Sequence, residues 1–236
     1  MIITVTSNKE GVGKSTIAVN MAALRALVGR KVLLIDLGSK KSSFEWSKKR
    51  NCANIQPQIP ACSMKGRCFE MEIGGLMSGY NDVLIDTGWR NTKGAQAALK
   101  IADMVVVPIE IGDDSVDELK QVIRRIKAAR RTNPGLWAVV VIARTEGTLV
   151  ISALDKIRKY IAKIPSTALA GTVIHERMSL QHAFNTGLSI FEYQPGDSLA
   201  VAEMHDLYRA QKMRRARLPS LSRMQKSSLI NSGASK

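Results

Sequence analysis

A chain of 236 residues, 45% of them hydrophobic and few of them aromatic, is long enough for one α/β domain with a substantial core. No apolar run approaches the roughly 18 residues of a transmembrane helix, and the first residues lack the pattern of a signal peptide, so we expect a cytoplasmic protein. Three cysteines without a CxxC pair, together with three scattered histidines, argue against a disulfide framework and against a zinc site.

The net charge of +15 is unevenly distributed along the chain. From Leu207 to the C-terminus there are eight Lys or Arg residues and no acid, so this segment carries +8 and residues 1–206 carry the remaining +7. Such an asymmetry predicts a polyanionic partner, which is either a nucleic acid or an anionic membrane. The alternative is a solvated tail that only aids solubility.

Short Val- and Ile-rich segments alternate with amphipathic ones. The unbroken apolar pattern of strands that are buried on both faces occurs in residues 2–7, 31–36, 81–86, 102–110 and 136–143. Helices are predicted for residues 15–30, 113–131 and 148–162. The irregular residues 52–68 are predicted to form a loop between helices. Alternation of buried strands with helices predicts an α/β fold, with a doubly wound, mainly parallel sheet flanked by helices.

The chain divides into two parts by composition. Residues 1–211 are predicted to form a single domain, and residues 212–236 a basic, flexible C-terminal tail. The tail prediction depends on the sequence after Leu218, which is rich in serine, basic and aperiodic.

The sequence SNKEGVGKST, at residues 7–16, follows the first predicted strand and opens the first helix, which is the setting of a phosphate-binding P-loop. Its second half matches the pattern GxxxxGK(S/T), and Asn8 stands at the first glycine. Backbone N–H groups are expected to cradle the phosphates of ATP, with Lys14 on the β- and γ-phosphates and Ser15 on Mg²⁺. The predicted nucleotide-binding residues are Glu10, Gly11, Val12, Gly13, Lys14, Ser15 and Thr16.

Lys9, five residues before Lys14, makes this loop resemble the deviant Walker A loop, KGGxGK(S/T)(S/T), of the ParA/MinD family of ATPases. The resemblance extends along the chain. Asp36, in VLLIDLGS, matches the first acid of the family's second motif, and Asp86, in DVLIDTG, lies at the end of its Walker B strand. Residues 173–208 resemble the C-terminal segment of the family. Because the sequence starts directly at the first strand, it is most similar to the short ParA-type partition proteins.

The resemblance implies an ATPase that binds ATP and Mg²⁺ and forms a nucleotide-sandwich homodimer, in which Lys9 reaches the phosphates of the partner. It implies catalytic roles for Lys9, Lys14 and Asp36, and metal contacts for Ser15, Asp36 and Asp86. The closed dimer is expected to bind DNA without sequence preference on the nucleoid. It would segregate or position a plasmid or other DNA cargo, with hydrolysis stimulated by a small DNA-binding adaptor of the ParB type.

Three positions depart from the family pattern. Glu10 replaces a glycine, and we expect it to turn away from the phosphates, toward a basic group of the partner subunit or of an adaptor; simple tolerance of the acid is the alternative. Gly38 stands where the family has the acid that orients the attacking water, so hydrolysis should be slow. Ala143, followed by Arg144, stands where the family has an adenine-contacting asparagine.

Two basic sets are candidates for DNA contact. The favoured set lies on the C-terminal helix and its extension and contains Arg209, Lys212, Arg214, Arg215 and Arg217. Arg177 is a further candidate because of its position in the family's C-terminal motif. The second set lies on the helix predicted for residues 113–131, and an ordinary solvated helix face is the favoured explanation for it: Arg124, Arg125, Lys127, Arg130 and Arg131. Two other functions stay open, a weakly hydrolysing scaffold in conjugative DNA transfer and a MinD-like membrane-associated organiser. Residues 218–230 have only a weak amphipathic pattern, which does not favour lipid binding.

Overall fold

The computed structural model describes residues 1–89, 91–145 and 151–212. The strands in these residues are β1 (Ile2–Val5), β2 (Val32–Asp36), β3 (Ala61–Ser63), β4 (Asp82–Asp86), β5 (Met104–Ile109), β6 (Trp137–Thr145) and β7 (Thr167–His175). The helices are α1 (Lys14–Leu27), α2 (Ser42–Cys52), α3 (Gly66–Leu76), α4 (Lys93–Ile101), α5 (Ser115–Ala129), α6 (Ile151–Ile161), α7 (Met178–Asn185) and α8 (Ser198–Lys212). The strands pair in parallel in the order β3-β2-β4-β1-β5-β6-β7.

Helices cover both faces of this sheet, because the strands bury side chains on both sides. In β5, Val106 belongs to the core on the face of α1, α2, α7 and α8. Its neighbours Val105 and Val107 belong to the core of α5 and α6 on the opposite face. A further cluster continues this second face beneath α3 and α4. Burial on both faces is the reason for the unbroken apolar runs, and it confirms the predicted doubly wound fold.

The prediction for residues 52–68 was wrong, since β3 lies inside this stretch and α3 begins at Gly66. The prediction also missed β7. Both are edge strands with partly exposed residues, so neither carries the fully apolar pattern of a central strand. Residues 148–150 of the third predicted helix and residues 213–236 of the predicted tail lie outside the described residues.

The register of the central strands brings distant polar residues together. Asp36, the last residue of β2, pairs with Asp86, the last residue of β4. Val5, the last residue of β1, also pairs with Asp86. The loop that follows β1 and the two acids therefore meet at the carboxyl edge of the sheet, which is where open α/β sheets bind ligands.

A buried ion pair fixes the segment after α7 onto α2. Arg50, with no exposed side-chain surface, donates to both carboxylate oxygens of Glu192 at 2.9 and 2.7 Å. Trp46 donates to the carbonyl of Leu188 at 3.0 Å. Gly187 has a φ of 78°, and a Cβ there would lie 2.5 Å from the backbone nitrogen of Arg50. The close approach therefore requires glycine at position 187.

We predict that Glu192→Gln lowers the free energy of unfolding by about 3 kcal/mol, because it leaves the Arg50 charge buried without its counterion. Urea unfolding at neutral pH measures this change. The matched control is Glu45→Gln, which neutralises an exposed acid on α2, the helix that carries Arg50. It should change the free energy of unfolding by less than about 0.5 kcal/mol.

The same pair predicts a pH dependence. Burial raises the pKa of Glu192, but hydrogen bonds from Arg50 and Ser189 lower it further than burial raises it, so the net pKa lies below the ordinary 4.5. The stabilisation is therefore present above about pH 4.5 and is lost as the pH falls through the folded-state pKa. The stability difference between wild type and Glu192→Gln should shrink on acidification, and a constant difference would contradict the ion-pair account.

Candidate nucleotide-binding site

The loop between β1 and α1 bends through two left-handed glycines. Gly11 and Gly13 have φ values of 81° and 80°, which a residue with a side chain adopts only with strain. Glu10 is not among the described residues with positive φ, so an acid at this position carries no such strain. The loop ends at Lys14, the first residue of α1. The N–H groups of this first turn have no partners within the helix, so the loop and helix end form an anion-binding site.

Lys14 lies within the loop that it helps to form. Lys14 is only 8% exposed. Its Nζ donates to the hydroxyl of Ser7 at 3.1 Å and to the carbonyl of Lys9 at 2.8 Å. Burial lowers the pKa of Lys14, and the nearby Asp86 and Glu10 act in the opposite direction. Both of its hydrogen-bond acceptors are neutral, so a phosphate oxygen would be a stronger partner for this ammonium group.

Lys9 lies in a different environment. Its side chain is 46% exposed, and Nζ lies 2.8 Å from the carboxylate of Glu110, just beyond β5. The hydrogen bond to Glu110 raises the pKa of Lys9, and Glu118 and Asp114 around the start of α5 add to this effect. The two lysines of one loop therefore extend to different places, Lys14 into the loop and Lys9 to the end of β5.

Glu10 forms an ion pair with Lys40, which lies between β2 and α2. Both side chains are substantially exposed. Within the single chain, the basic partner of Glu10 is thus Lys40, and the predicted contact of Glu10 with a partner subunit or an adaptor stays a prediction.

Asp36 is fixed by the N-terminus of α2. One carboxylate oxygen accepts a hydrogen bond from the backbone of Gly38 at 2.8 Å. The other oxygen accepts from the backbone and hydroxyl of Ser43, at 2.9 and 2.8 Å, and from the backbone of Phe44 at 3.1 Å. Asp36 therefore satisfies free N–H groups of a helix, as an N-cap residue does.

Asp86 is buried beside Asp36. Burial and the negative charge of Asp36 raise the pKa of Asp86 to about 7, although the nearby hydroxyls of Ser15 and Ser43 and the charge of Lys14 oppose the shift. A cation at this position would relieve the repulsion between the two acids.

The residues present fit the predicted Mg²⁺ role. The Ser15 hydroxyl and the Asp86 carboxylate are oxygen ligands, which Mg²⁺ prefers, whereas the oxygens of Asp36 are already hydrogen bonded. In the described part of the chain no group of three or more His, Cys, Asp or Glu residues is placed to hold a metal ion.

A cavity of about 280 Å³ adjoins the loop. It lies between the first turn of α1 and the ends of β6 and β7, and Thr16 contributes to its wall. Its apolar lining comes from Ile17, Ala143, Ile174 and Leu180. The size and the apolar walls are suitable for part of a small ligand that continues from the loop.

Arg177, predicted to contact DNA, lies on the wall of this cavity. It donates to Glu203 at 2.7 Å and lies 3.9 Å from Asp197, so its charge is compensated within the chain. Arg209 is exposed on α8 and pairs with Asp206 at 3.4 Å. Lys212 ends α8, and Arg214, Arg215 and Arg217 lie outside the described residues.

The second basic set divides into structural and exposed members. Arg130 donates to the backbone carbonyls of Leu136, Pro165 and Ser166, and so it ties α5 to the segment before β7. Arg125 contacts Asn8 in the P-loop. The exposed members are Arg124, Lys127 and Arg131.

Three residues that contact the predicted site residues were not predicted from the sequence: Lys40, Ser43 and Glu110. Glu110 directly follows β5, and Lys40 and Ser43 lie in the segment that leads from β2 into α2. Their closeness in sequence to the carboxyl end of a strand is the signal that could have pointed to them. Which predicted residue each one contacts depends on the fold. Among the described residues, no helix is both long and apolar enough to span a membrane.

Comparison with known proteins agrees with this geometry. A family model described as the CobQ/CobB/MinD/ParA nucleotide binding domain matches residues 3–190. Similar proteins include the sporulation initiation inhibitor protein Soj of Bacillus subtilis, 23% identical over 82% of this chain and 91% of Soj. The maintenance of carboxysome distribution protein A of Halothiobacillus neapolitanus is 24% identical over 87% of this chain and 93% of the relative.

A plasmid partition protein of Borrelia burgdorferi, solved with AMPPNP, superposes with a TM-score of 0.65 at 18% identity, covering 90% of this chain and 98% of the other. This likeness supports the fold. The match of the family model over most of the chain establishes the relationship. This chain therefore belongs to the CobQ/CobB/MinD/ParA nucleotide-binding family, and within it to the ParA/MinD type of P-loop ATPases.

Proposed function

We propose that this chain is a ParA-like ATPase that binds ATP with Mg²⁺ and closes into a homodimer around the nucleotides. In this state it binds DNA without sequence preference in the cytoplasm, on the nucleoid, and it segregates or positions a plasmid or other DNA cargo. ATP hydrolysis, stimulated by a small DNA-binding adaptor, opens the dimer again. The separate environments of Lys9 and Lys14 are the observation that carries this proposal.

The two lysines support a dimer for a geometric reason. Lys14 lies inside the loop, next to the N–H groups that bind phosphate, whereas Lys9 extends to Glu110 at the rim. The pair of Lys9 with Glu110 is exposed, and such pairs contribute only about 0–1 kcal/mol. A nucleoside triphosphate on a facing subunit carries several negative charges, so it can replace Glu110 as the partner of Lys9.

Slow hydrolysis follows from the surroundings of Asp36. Its oxygens accept four hydrogen bonds from the start of α2 and from Gly38, so the carboxylate is held in place by the protein. Gly38 has no side chain that could orient water. We therefore propose that turnover is slow and depends on the adaptor.

The proposed DNA contact depends on counterion release by a basic C-terminus. Arg209 and Lys212 are the last cations of the described helix α8, and further arginines follow in the sequence. The sequence shows no motif that reads bases, so the contact is to phosphates and carries no sequence preference.

For the proposed function, a first prediction distinguishes the roles of the two lysines. Lys14→Ala should weaken ATP binding by about 100-fold, because the buried cation of the phosphate site is lost. Lys9→Ala should leave ATP binding by the single subunit close to wild type and abolish the ATP-dependent dimer. Isothermal titration calorimetry measures the binding, and sedimentation velocity with AMPPNP measures the dimer.

Lys159→Ala, on the exposed face of α6, serves as the charge-matched control and should behave as wild type in both assays. A wild-type protein that ignores ATP would overturn the proposed function. A Lys9→Ala variant that still dimerises with AMPPNP would overturn the sandwich arrangement alone.

A second prediction concerns the contact that holds Lys9. Glu110→Gln should strengthen AMPPNP-dependent dimerisation by about two- to fivefold, because Lys9 no longer has to leave an ion pair. Asp117→Asn neutralises a nearby exposed acid on α5 that pairs with Lys120, and it should have no effect. Equal dimerisation of the two variants in sedimentation velocity would show that Glu110 does not restrain Lys9.

A third prediction concerns the C-terminal cations. Replacing Lys212, Arg214, Arg215 and Arg217 by alanine should reduce the slope of log K against log salt for DNA binding by about 2 to 4, since each lost phosphate contact removes about 0.9. The comparison variant replaces the exposed α5 cations Arg124, Lys127 and Arg131. An unchanged slope in the C-terminal variant, with a reduced slope in the α5 variant, would move the DNA surface to α5.

A further inference from the structure

Arg144, at the end of β6, lies across the cavity that adjoins the P-loop. Its backbone is left-handed, with a φ of 54°. Non-glycine residues adopt this conformation rarely, and residues held in it are concentrated at functional sites. The side chain of Arg144 has no role assigned by any motif of the sequence.

The Arg144 guanidinium contacts the P-loop directly. Nη1 donates to the carbonyl of Gly11 at 2.5 Å. A Cβ built on Gly11 would lie 3.2 Å from the same nitrogen, and one built on Gly13 would lie 4.0 Å from Cγ of Arg144. The side chain therefore lies along both left-handed glycines of the loop, whereas Lys14 contacts Ser7 and Lys9.

Glu176, beyond the end of β7, holds the other side of the guanidinium. Nη2 of Arg144 donates to this carboxylate, and both residues line the cavity. The same oxygen of Glu176 also accepts a hydrogen bond from Gln181 at 3.1 Å. Glu176 thus keeps a hydrogen-bond donor if Arg144 moves to another anion.

The chemistry of the pair indicates which anion that is. A guanidinium presents several N–H groups in one plane and binds phosphate with two parallel hydrogen bonds. A nucleoside di- or triphosphate on this loop brings more negative charge to Gly11 and Gly13 than one carboxylate does. The pair with Glu176 is partly exposed, so the protein loses little stability when a phosphate replaces it.

We propose that Arg144 is a further nucleotide-binding residue, which contacts the phosphates from the side of β6, and that Glu176 holds its guanidinium over the glycine loop until the nucleotide arrives. The inference rests on the proposed nucleotide-binding function and adds a second cation to the phosphate site of each subunit. Glu176 is a positioning residue that competes with the phosphates for this cation.

The test measures MgADP and inorganic pyrophosphate binding to the full chain by isothermal titration calorimetry. Arg144→Ala should weaken the binding of both about 10- to 100-fold, which is the usual effect of losing a hydrogen bond to a charged group. Arg144→Lys should fall between Arg144→Ala and wild type, because it keeps the charge but loses the paired hydrogen bonds. Glu176→Gln should tighten binding several-fold, because phosphate no longer competes with a carboxylate.

Two comparisons give this test its specificity. Arg158→Ala removes the same charge from the exposed face of α6 and should bind MgADP as wild type does. The ratio of MgADP to MgGDP affinity should stay the same in Arg144→Ala, because the proposed contact is to phosphate and not to the base. Circular dichroism checks the folding of each variant, and Arg144→Lys with Glu176→Gln decides the result if Arg144→Ala does not fold.

Several results would overturn the inference while leaving the proposed function intact. If Arg144→Ala and Arg158→Ala bind equally well, Arg144 does not contact the nucleotide. If Arg144→Ala binds more tightly than wild type, the side chain obstructs the site. A changed MgADP to MgGDP ratio would assign Arg144 to the base. If wild type itself binds no nucleotide, the proposed function fails, and this inference fails with it.

Discussion

Two buried carboxylates at the floor of an anion-binding site are the constraint around which this structure is arranged. Parallel pairing of β2 with β4 places Asp36 beside Asp86, directly below the loop that follows β1. The two acids have different surroundings. Asp36 is held by hydrogen bonds from the start of α2, whereas the pKa of Asp86, raised by burial and by the charge of Asp36, reaches about 7. Asp36 thus organises the backbone, and Asp86 lies near the hydroxyl of Ser15 and the charge of Lys14.

The loop itself is surrounded by ion pairs within the same chain. Lys9 pairs with Glu110, Glu10 with Lys40, and Arg144 with Glu176. Exposed or partly exposed pairs of this kind contribute little to stability. They nevertheless keep charged side chains in defined positions around the glycines until a more highly charged ligand competes for the cations. The phosphate site is therefore preorganised by contacts that are easily exchanged.

The wall of the cavity is connected to the helix that leads into the basic C-terminus. Glu203 of α8 accepts hydrogen bonds from the backbone of His175 and from Arg177, at 3.1 and 2.7 Å. Both residues also line the cavity next to the loop. The segment after α7 is fixed in turn by the buried pair of Arg50 and Glu192. Through Glu203, α8 is thus fixed to the wall of the cavity beside the loop.

Much of this arrangement is readable from local sequence. The central strands are buried on both faces, so their apolar runs are unbroken. The loop before α1 is recognisable because a phosphate-binding loop needs glycines that adopt positive φ and the N-terminus of a helix. The edge strands β3 and β7 were not recognised, because partial exposure removes the apolar pattern. The positions of Asp36 and Asp86 at strand ends were also visible, since parallel strands bring their carboxyl ends together.

The partners of these residues depend on contacts between segments that are far apart in the chain. Arg144 is 133 residues from Gly11, and Arg50 is 142 residues from Glu192. The sequence does not define the partner of a charged side chain, because the strand order and the connecting helices decide which side chains become neighbours. For this reason the chain's family and phosphate loop were accessible from the residues alone. The pairing of Glu10 with Lys40, the capping role of Asp36 and the position of Arg144 required the folded molecule.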